Sequence, residues 1–302
     1  MSRYVLGVDG GGTKTDAVIA DSEGKIIATA SNGGANWERM GIDKALNSLE
    51  EVITSAAKSA GIKTSDISSA AFAIAGIDWA DDVKLYQPIA SRLGINKYEI
   101  MNDSFAALYA GSENLQGIVS IAGTGGKTSG IYQGNQAQTM GMELGEGGGA
   151  GHLVGLALEY IAMQFHKTAP ESALYELIPK TLKFTPGTEF FEAVARKGLR
   201  LSEALAPEIF LLADQNDPGA LYAVKKTAEQ HGKDVCGIAK QLGIHDQEVV
   251  VVRAGGLHTA GNAIFDKEFE RQVKAELPNA NLLVLDKAPV MGAVLRAIGN
   301  LN

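Results

Sequence analysis

The stretch GVDGGGTKTD, residues 7–16, lies between two apolar runs, YVL at 4–6 and AVIAD at 17–21. β-Branched and apolar residues on both sides of a glycine-rich segment read as strand, turn, strand. A third strand signature, KIIATAS at 25–31, follows the tight turn SEG at 22–24, so the three form a meander. The pattern then restarts: GIVSIA (117–122) runs into GTGGKT (123–128) and the short strand SGIYQG (129–134). Aligned on their glycines, Gly10 falls on Gly123, Gly12 on Gly125, Lys14 on Lys127 and Thr15 on Thr128. Each copy opens one half of the chain, which we read as an internal duplication of two similar domains.

Neither turn is a P-loop. That motif needs GxxxxGK[ST] between a strand and a helix; Ile121 stands where the second copy would need its first glycine, and Thr13 intrudes between Gly12 and Lys14. Both turns also lead into strands, which excludes a dinucleotide-binding GxGxxG. What remains is a bare hairpin tip or a turn whose amides face an anion. Consecutive glycines let the backbone approach phosphate oxygens closely. Thr13 can add a hydroxyl and Lys14 a positive charge. Asp9 would repel phosphate unless a cation such as Mg²⁺ lies between them, so we read the cluster as a metal–nucleotide site.

Between and beyond the turns, helical spacing covers 39–60 and 81–93, strands are expected at 69–75 and 98–101, and a helix at 104–110. A long helical stretch at about 147–243 interrupts the second half, with helices at 148–164, 170–180, 187–197, 200–213 and 217–242. Strand character returns at EVVVV (248–252), followed by AGGLHTAGN, then NLLVLD (281–286) and a final helix that begins at Pro289. The expected architecture is α/β: an N-terminal domain over 1–112, joined by the C-terminal helix 288–302, and a C-terminal domain over 113–287.

With 302 residues, 45% apolar and 21% charged, the composition is that of an ordinary globular protein. A net charge of −8 argues against a nucleic-acid partner. One cysteine, Cys236, can form neither an internal disulfide nor a thiolate-ligated cluster within the chain. The N-terminus lacks signal-peptide features and no run is long enough for a membrane span, so a cytoplasmic protein is expected.

The order DGGGTKTD, ND at 102–103, AGTGGKT and AGGLHTAGN resembles the actin-like ATPase and sugar kinase superfamily. Within it, GGANW (33–37), AIAGID (73–78), GMELGEGGGAGHLVG (141–155) and PVMGAVLRA (289–297) make the chain similar, almost end to end, to the BadF/BadG/BcrA/BcrD ATPase family, which includes N-acetylglucosamine kinase. The resemblance implies a duplicated actin-like (ribonuclease H-like) fold of two domains that clasp ATP in a cleft. It places Asp9, on the metal side, with Gly10, Gly11, Gly12, Thr13 and Lys14 on the first phosphate motif, and Gly123, Thr124 and Gly125 on the second. Gly255 and Gly256 fall on the adenosine motif. Asp103 falls on the general base. Asn36, Trp37, Gly76, Asp78 and Glu146 fall on the sugar pocket, where Thr124 also contributes. The implied cofactors are ATP and Mg²⁺, the implied partner is a small-molecule sugar, and similar kinases are commonly homodimers.

Asp103 can be argued without the family. It ends YEIMND, at the carboxyl end of a strand, where α/β proteins bind ligands and a carboxylate can accept a hydroxyl proton. The same position also suits a helix N-cap. The related kinases usually carry Gly-Asp-Glu-Gly-Ser where this chain has Gly145-Glu146-Gly147-Gly148-Gly149, so its acidic contact is one methylene longer. That departure opens the choice of substrate: N-acetylglucosamine or a related hexose, or an acid sugar such as 2-keto-3-deoxygluconate. For an acid sugar, Arg39 is the one candidate carboxylate partner. An activator ATPase sharing an iron–sulfur cluster is opposed by the single cysteine; a regulatory protein without chemistry is opposed by Asp103. His152, His166, His231, His245 and His258 lack metal-ligand spacing and are expected to be structural or exposed.

Overall fold

The computed structural model describes residues 3–140 and 147–301. They form two compact units, one of residues 3–119, 129–136 and 285–301, the other of residues 120–128, 137–140 and 147–284. Among the described residues no helix is long and apolar enough to cross a membrane.

The first sheet contains β1 (Tyr4–Gly10), β2 (Lys14–Asp21), β3 (Ile26–Gly33), β4 (Ile67–Ile74) and β5 (Tyr98–Met101), in the order β3-β2-β1-β4-β5. The meander β1–β2–β3 is antiparallel, whereas β4 and β5 run parallel to β1. The second sheet contains β6 (Gly117–Ala122), β7 (Gly126–Tyr132), β8 (Asn135–Gln138), β9 (Val250–Ala254) and β10 (Asn281–Val284), in the order β10-β9-β6-β7-β8. Read from the β8 edge, this is third, second, first, fourth, fifth, the same order as the first sheet. The duplication inferred from two glycine turns is thus carried through every strand. Strand β8 was not foreseen, because NQAQ has no apolar alternation and pairs only as a polar sheet edge.

The helices are α1 (Trp37–Met40), α2 (Ile42–Ala60), α3 (Ala80–Tyr86), α4 (Pro88–Leu93) and α5 (Asp103–Gly111), then α6 (Gly149–Phe165), α7 (Leu174–Thr181), α8 (Thr188–Arg196), α9 (Ala206–Asp214), α10 (Pro218–Gln241), α11 (Gly256–Thr259), α12 (Ala263–Glu276) and α13 (Pro289–Gly299). Two helices expected as continuous are each divided in two. The 39–60 helix breaks at Gly41, whose φ of 82° leaves the helical region. The 81–93 helix breaks at Gln87–Pro88, where proline cannot donate the bond that would continue it.

Alternation along β1 sorts the layers. Leu6 and Val8 join Leu46, Leu49 and Ile53 of α2 in one buried cluster. On the sheet's other face α13 approaches so closely that a Cβ at Gly7 would lie 2.6 Å from the Val294 nitrogen. Helix α13 also lies on α5, where a Cβ at Gly292 would come within 1.9 Å of the Ala106 carbonyl oxygen. The α13–α5 contact is therefore built on backbone, and it fixes the helix that begins at Asp103. Gly292→Ala should destabilise the protein by about 3 kcal/mol through overpacking. Urea or thermal denaturation measures this, and a near-native midpoint would show that the contact yields.

Candidate active site

Three parallel strands set the site. Asp9 of β1 lies opposite Ala73 of β4, which lies opposite Met101 of β5. The Ala75 N–H donates to the Gly10 carbonyl at 2.8 Å, so the register persists to the strand ends. The chain then leaves the sheet along one edge as the Gly11–Thr13 turn, the Ala75–Trp79 loop and Asn102–Asp103. This is the carboxyl edge, where ligands of α/β sheets bind.

The first glycine turn closes with Gly11 N–H to Lys14 O at 2.8 Å and is held from behind by Ala35 N–H to Gly11 O at 3.0 Å. The backbones of the two loops touch: a Cβ at Gly34 would lie 2.5 Å from the Gly12 oxygen. Lys14 Nζ pairs with Asp16 at 2.9 Å and its side chain is 65% exposed. Lys127, aligned with it in sequence, instead donates to the Thr139 carbonyl, and the second turn closes Gly123 N–H to Gly125 O at 2.9 Å. The two lysines are not structural equivalents.

Beside the first turn lies the Asn36–Trp37 loop. Asn36 caps α1 by accepting from the Glu38 N–H at 2.8 Å, and a Cβ at Gly76 would meet its side-chain oxygen at 3.0 Å. The Trp37 indole N–H donates to the Gly76 carbonyl at 2.8 Å, so its polar end braces the neighbouring loop while its half-buried ring packs against the apolar cluster of the first unit. Buried Tyr86 completes the brace, its hydroxyl accepting from Trp37 N–H at 3.0 Å and donating to Ala35 O at 2.6 Å. Burial pushes the Tyr86 phenol up to about 12, which keeps it a donor. Asp82 accepts from the backbone N–H groups of Asp78 and Trp79 at 2.9 and 2.8 Å and so shapes the loop that presents Asp78. Tyr86 and Asp82 were missed in the sequence, where both read as ordinary members of a helix.

Asn102 decides between the two readings of Asp103. It is Asn102 that caps α5, its Oδ1 accepting from the Ser104 N–H at 3.0 Å while its Nδ2 donates to Asp78 Oδ1 at 3.3 Å. Asp103 is the first helical residue, half-buried, and its carboxylate is not the cap. The Asp9 carboxyl is pushed up to about 7, first by burial and then by the carboxylates of Asp103 and Asp16, with Lys14 opposing. Among the described residues no three acidic, histidine or cysteine side chains are grouped to hold a metal ion, so a cation here would rest on the Asp9 carboxylate together with the turn beside it.

In the second unit, Ala150 N–H donates to Gly123 O at 2.8 Å and Gly151 N–H to Thr124 O at 3.2 Å, so the start of α6 grips the second turn. Gly255 has a φ of 88°, and a Cβ there would lie 2.5 Å from the Ala122 carbonyl carbon. The turn and the Gly255–Gly256 loop are thus in backbone contact. They border a cavity of about 690 Å³ that includes Gly123, Thr124, Phe210, Leu211 and Gly256 in its lining. Its polar end holds Asp214, whose Oδ1 accepts from Asn262 Nδ2 at 3.0 Å. The role of α9 as a wall was missed in the sequence, where 200–213 read only as a helix; Leu211, 55% exposed, is the large apolar residue it presents at the cavity. Glu146, with all of 141–146, lies outside the described residues.

The fold is that of the two-domain actin-like sugar kinases, and the chain belongs to the BadF/BadG/BcrA/BcrD ATPase family, whose model matches residues 6–297. It is 25% identical to the N-acetylmuramic acid/N-acetylglucosamine kinase of Clostridium acetobutylicum over 98% of each chain. It is 24% identical to the N-acetyl-D-glucosamine kinase of Dictyostelium discoideum over 99% of each. The crystal structure of a candidate N-acetylglucosamine kinase from Chromobacterium violaceum superposes with a TM-score of 0.71 at 22% identity, covering 99% of both chains.

Proposed function

We propose that the protein is an ATP-dependent sugar kinase that transfers the γ-phosphate of MgATP to a hydroxyl of N-acetylglucosamine or a related hexose. The observation that carries this reading is the placement of Asp9, Asp78 and Asp103 at the carboxyl ends of β1, β4 and β5, with Asn36, in the loop after β3, against Gly76. Asn36, with donor and acceptor in one amide, and Asp78 orient acceptor hydroxyls. Trp37, with Tyr86, keeps the two acceptor loops together. Asp103 accepts the proton of the attacking hydroxyl. Asp9, with the first-turn backbone, would hold Mg²⁺, which neutralises charge on the transferring group when bound. The second-unit cavity has the size of a small-molecule site and would take the nucleoside, with Thr124 and the Gly123–Gly125 backbone toward phosphate and Asp214 toward the ribose hydroxyls.

Asp214→Ala should raise the KM for ATP by about tenfold, the loss of a charge-assisted hydrogen bond, and leave the sugar KM unchanged. A change confined to the sugar KM would move the nucleoside elsewhere.

One observation favours an acid sugar as the second reading. The Arg39 guanidinium lies on Gly12, where a Cβ would be 3.1 Å from Nη1, two residues from Trp37. Arg39 is exposed, so it offers a charge to an anionic substituent on the acceptor. If the physiological acceptor carries a carboxylate, Arg39→Ala should raise its KM about tenfold or more and spare neutral sugars. Equal effects on charged and neutral sugars would assign Arg39 to the phosphate instead. Steady-state kinetics on an N-acetylated, a neutral and a keto-acid sugar tests the two acceptor readings together.

A further inference from the structure

We infer that a buried relay, Gly149–His231–Ser120–His258, positions the second glycine turn and the Gly255–Gly256 loop for the nucleotide. The inference rests on the proposal that the second unit binds ATP. Ser120 lies on β6, three residues before Gly123, and is fully buried. Its Oγ is 3.1 Å from His231 Nδ1 of α10 and 3.1 Å from His258 Nε2 of α11. His231 Nε2 in turn lies 3.3 Å from the Gly149 N–H.

The Gly149 amide fixes the first two bonds by chemistry, and the relay assigns the direction of the Ser120–His258 bond. A backbone N–H can only donate, so His231 Nε2 is bare and a neutral ring carries its proton on Nδ1. That proton goes to Ser120 Oγ, and the Ser120 hydroxyl donates to His258 Nε2. With Ser120 donating, His258 holds its proton on Nδ1, which has no hydrogen-bond partner among the described residues, and its ring meets Phe269 edge-on at 4.8 Å. Both rings are kept neutral by their surroundings. His231 is pushed down to about 4 by burial and then by His152, and His258 is held well below its usual range by burial, His231 and Arg253.

Three contacts transmit the relay to the turn. The first three amides of α6 are all committed: Gly149 to His231, Ala150 to the Gly123 carbonyl and Gly151 to the Thr124 carbonyl. Gly149 itself sits on the turn, since a Cβ there would lie 2.4 Å from the Gly125 carbonyl carbon. His258 closes the other side, two residues after Gly256. The histidines that sequence spacing leaves without a role therefore join the turn, the start of α6 and the adenosine loop through one serine. They are positioning residues and touch no reactant.

Two measurements test the relay. Long-range ¹H–¹⁵N correlation on the wild-type protein at neutral pH should show both His231 and His258 as the Nδ1–H tautomer; an Nε2–H tautomer at His231 overturns the relay without any variant. Calorimetric titration of MgATP into Ser120→Ala and His231→Phe should show about tenfold weaker binding, as expected for orphaned buried polar groups, with the KM of the best acceptor sugar unchanged. His231→Gln, which can still accept from the Gly149 N–H, should recover much of the loss. Wild-type affinity in both variants, or equal losses for nucleotide and sugar, overturns the positioning role. Failure of the wild-type protein to bind MgATP would instead remove the nucleotide reading on which it rests.

Discussion

Asp103→Asn should lower kcat by about 10³-fold while the dissociation constants for ATP and sugar stay near wild type, because general-base catalysis contributes about 10²–10⁴-fold and little ground-state binding. The amide keeps the size of the carboxylate and removes its capacity to take a proton. The α5 cap is carried by Asn102, so the substitution leaves the helix start intact and thermal stability should stay close to wild type. The split between kcat and binding is the informative readout. Near-normal turnover would eliminate Asp103 as the base, and equal losses in binding and kcat would make it a contact for the sugar alone.

Asp9→Asn should abolish magnesium-dependent turnover and yet stabilise the ligand-free protein. The folded state holds the Asp9 proton to about pH 7, whereas the ordinary carboxyl value is 3.8. Protonated Asp9 therefore contributes stability that is fully present below about pH 4 and is lost as pH rises through about 7. A shift of this size corresponds to at most about 4 kcal/mol of strain in the ionised, ligand-free site. The wild-type melting temperature without ligand should fall between those limits as pH rises, by more than it falls in Asp9→Asn. Added Mg²⁺ with ATP should reverse the loss at pH 8 in the wild type only. Parallel melting curves for the two proteins across that range would contradict the electrostatic description of the site.

The sequence was most legible where backbone chemistry leaves few options. Gly10–Gly12 and Gly123-Thr124-Gly125 between apolar runs marked two turns, and their recurrence anticipated a duplication that the sheet order repeats strand by strand. Proline and aspartate at 217–218 marked the start of α10 closely, because a capping carboxylate and a residue without an N–H both suit that position. Side-chain partners were far less legible. Lys14 and Lys127 align in the sequence, yet one pairs with Asp16 and the other with Thr139, because the turns close over different numbers of residues. Asp103 and Asn102 both suit a cap, and only the geometry shows that Asn102 takes that role. Tyr86, Asp82 and the α9 wall carry no local signature, since a buried hydroxyl bracing a loop from tens of residues away depends on tertiary contact. The relay through Ser120 joins residues more than a hundred positions apart, a distance that no spacing rule reaches.

The central claim is phosphoryl transfer to a sugar. Its most direct test is ADP release measured with MgATP against N-acetylglucosamine, glucosamine, glucose, N-acetylmuramic acid and 2-keto-3-deoxygluconate, with mass spectrometry of the products. At least one sugar should raise ADP release well above the rate without sugar and gain the mass of one phosphoryl group, and Asp103→Asn should remove that gain. ADP release that no sugar stimulates, with no phosphorylated product, would contradict the assignment.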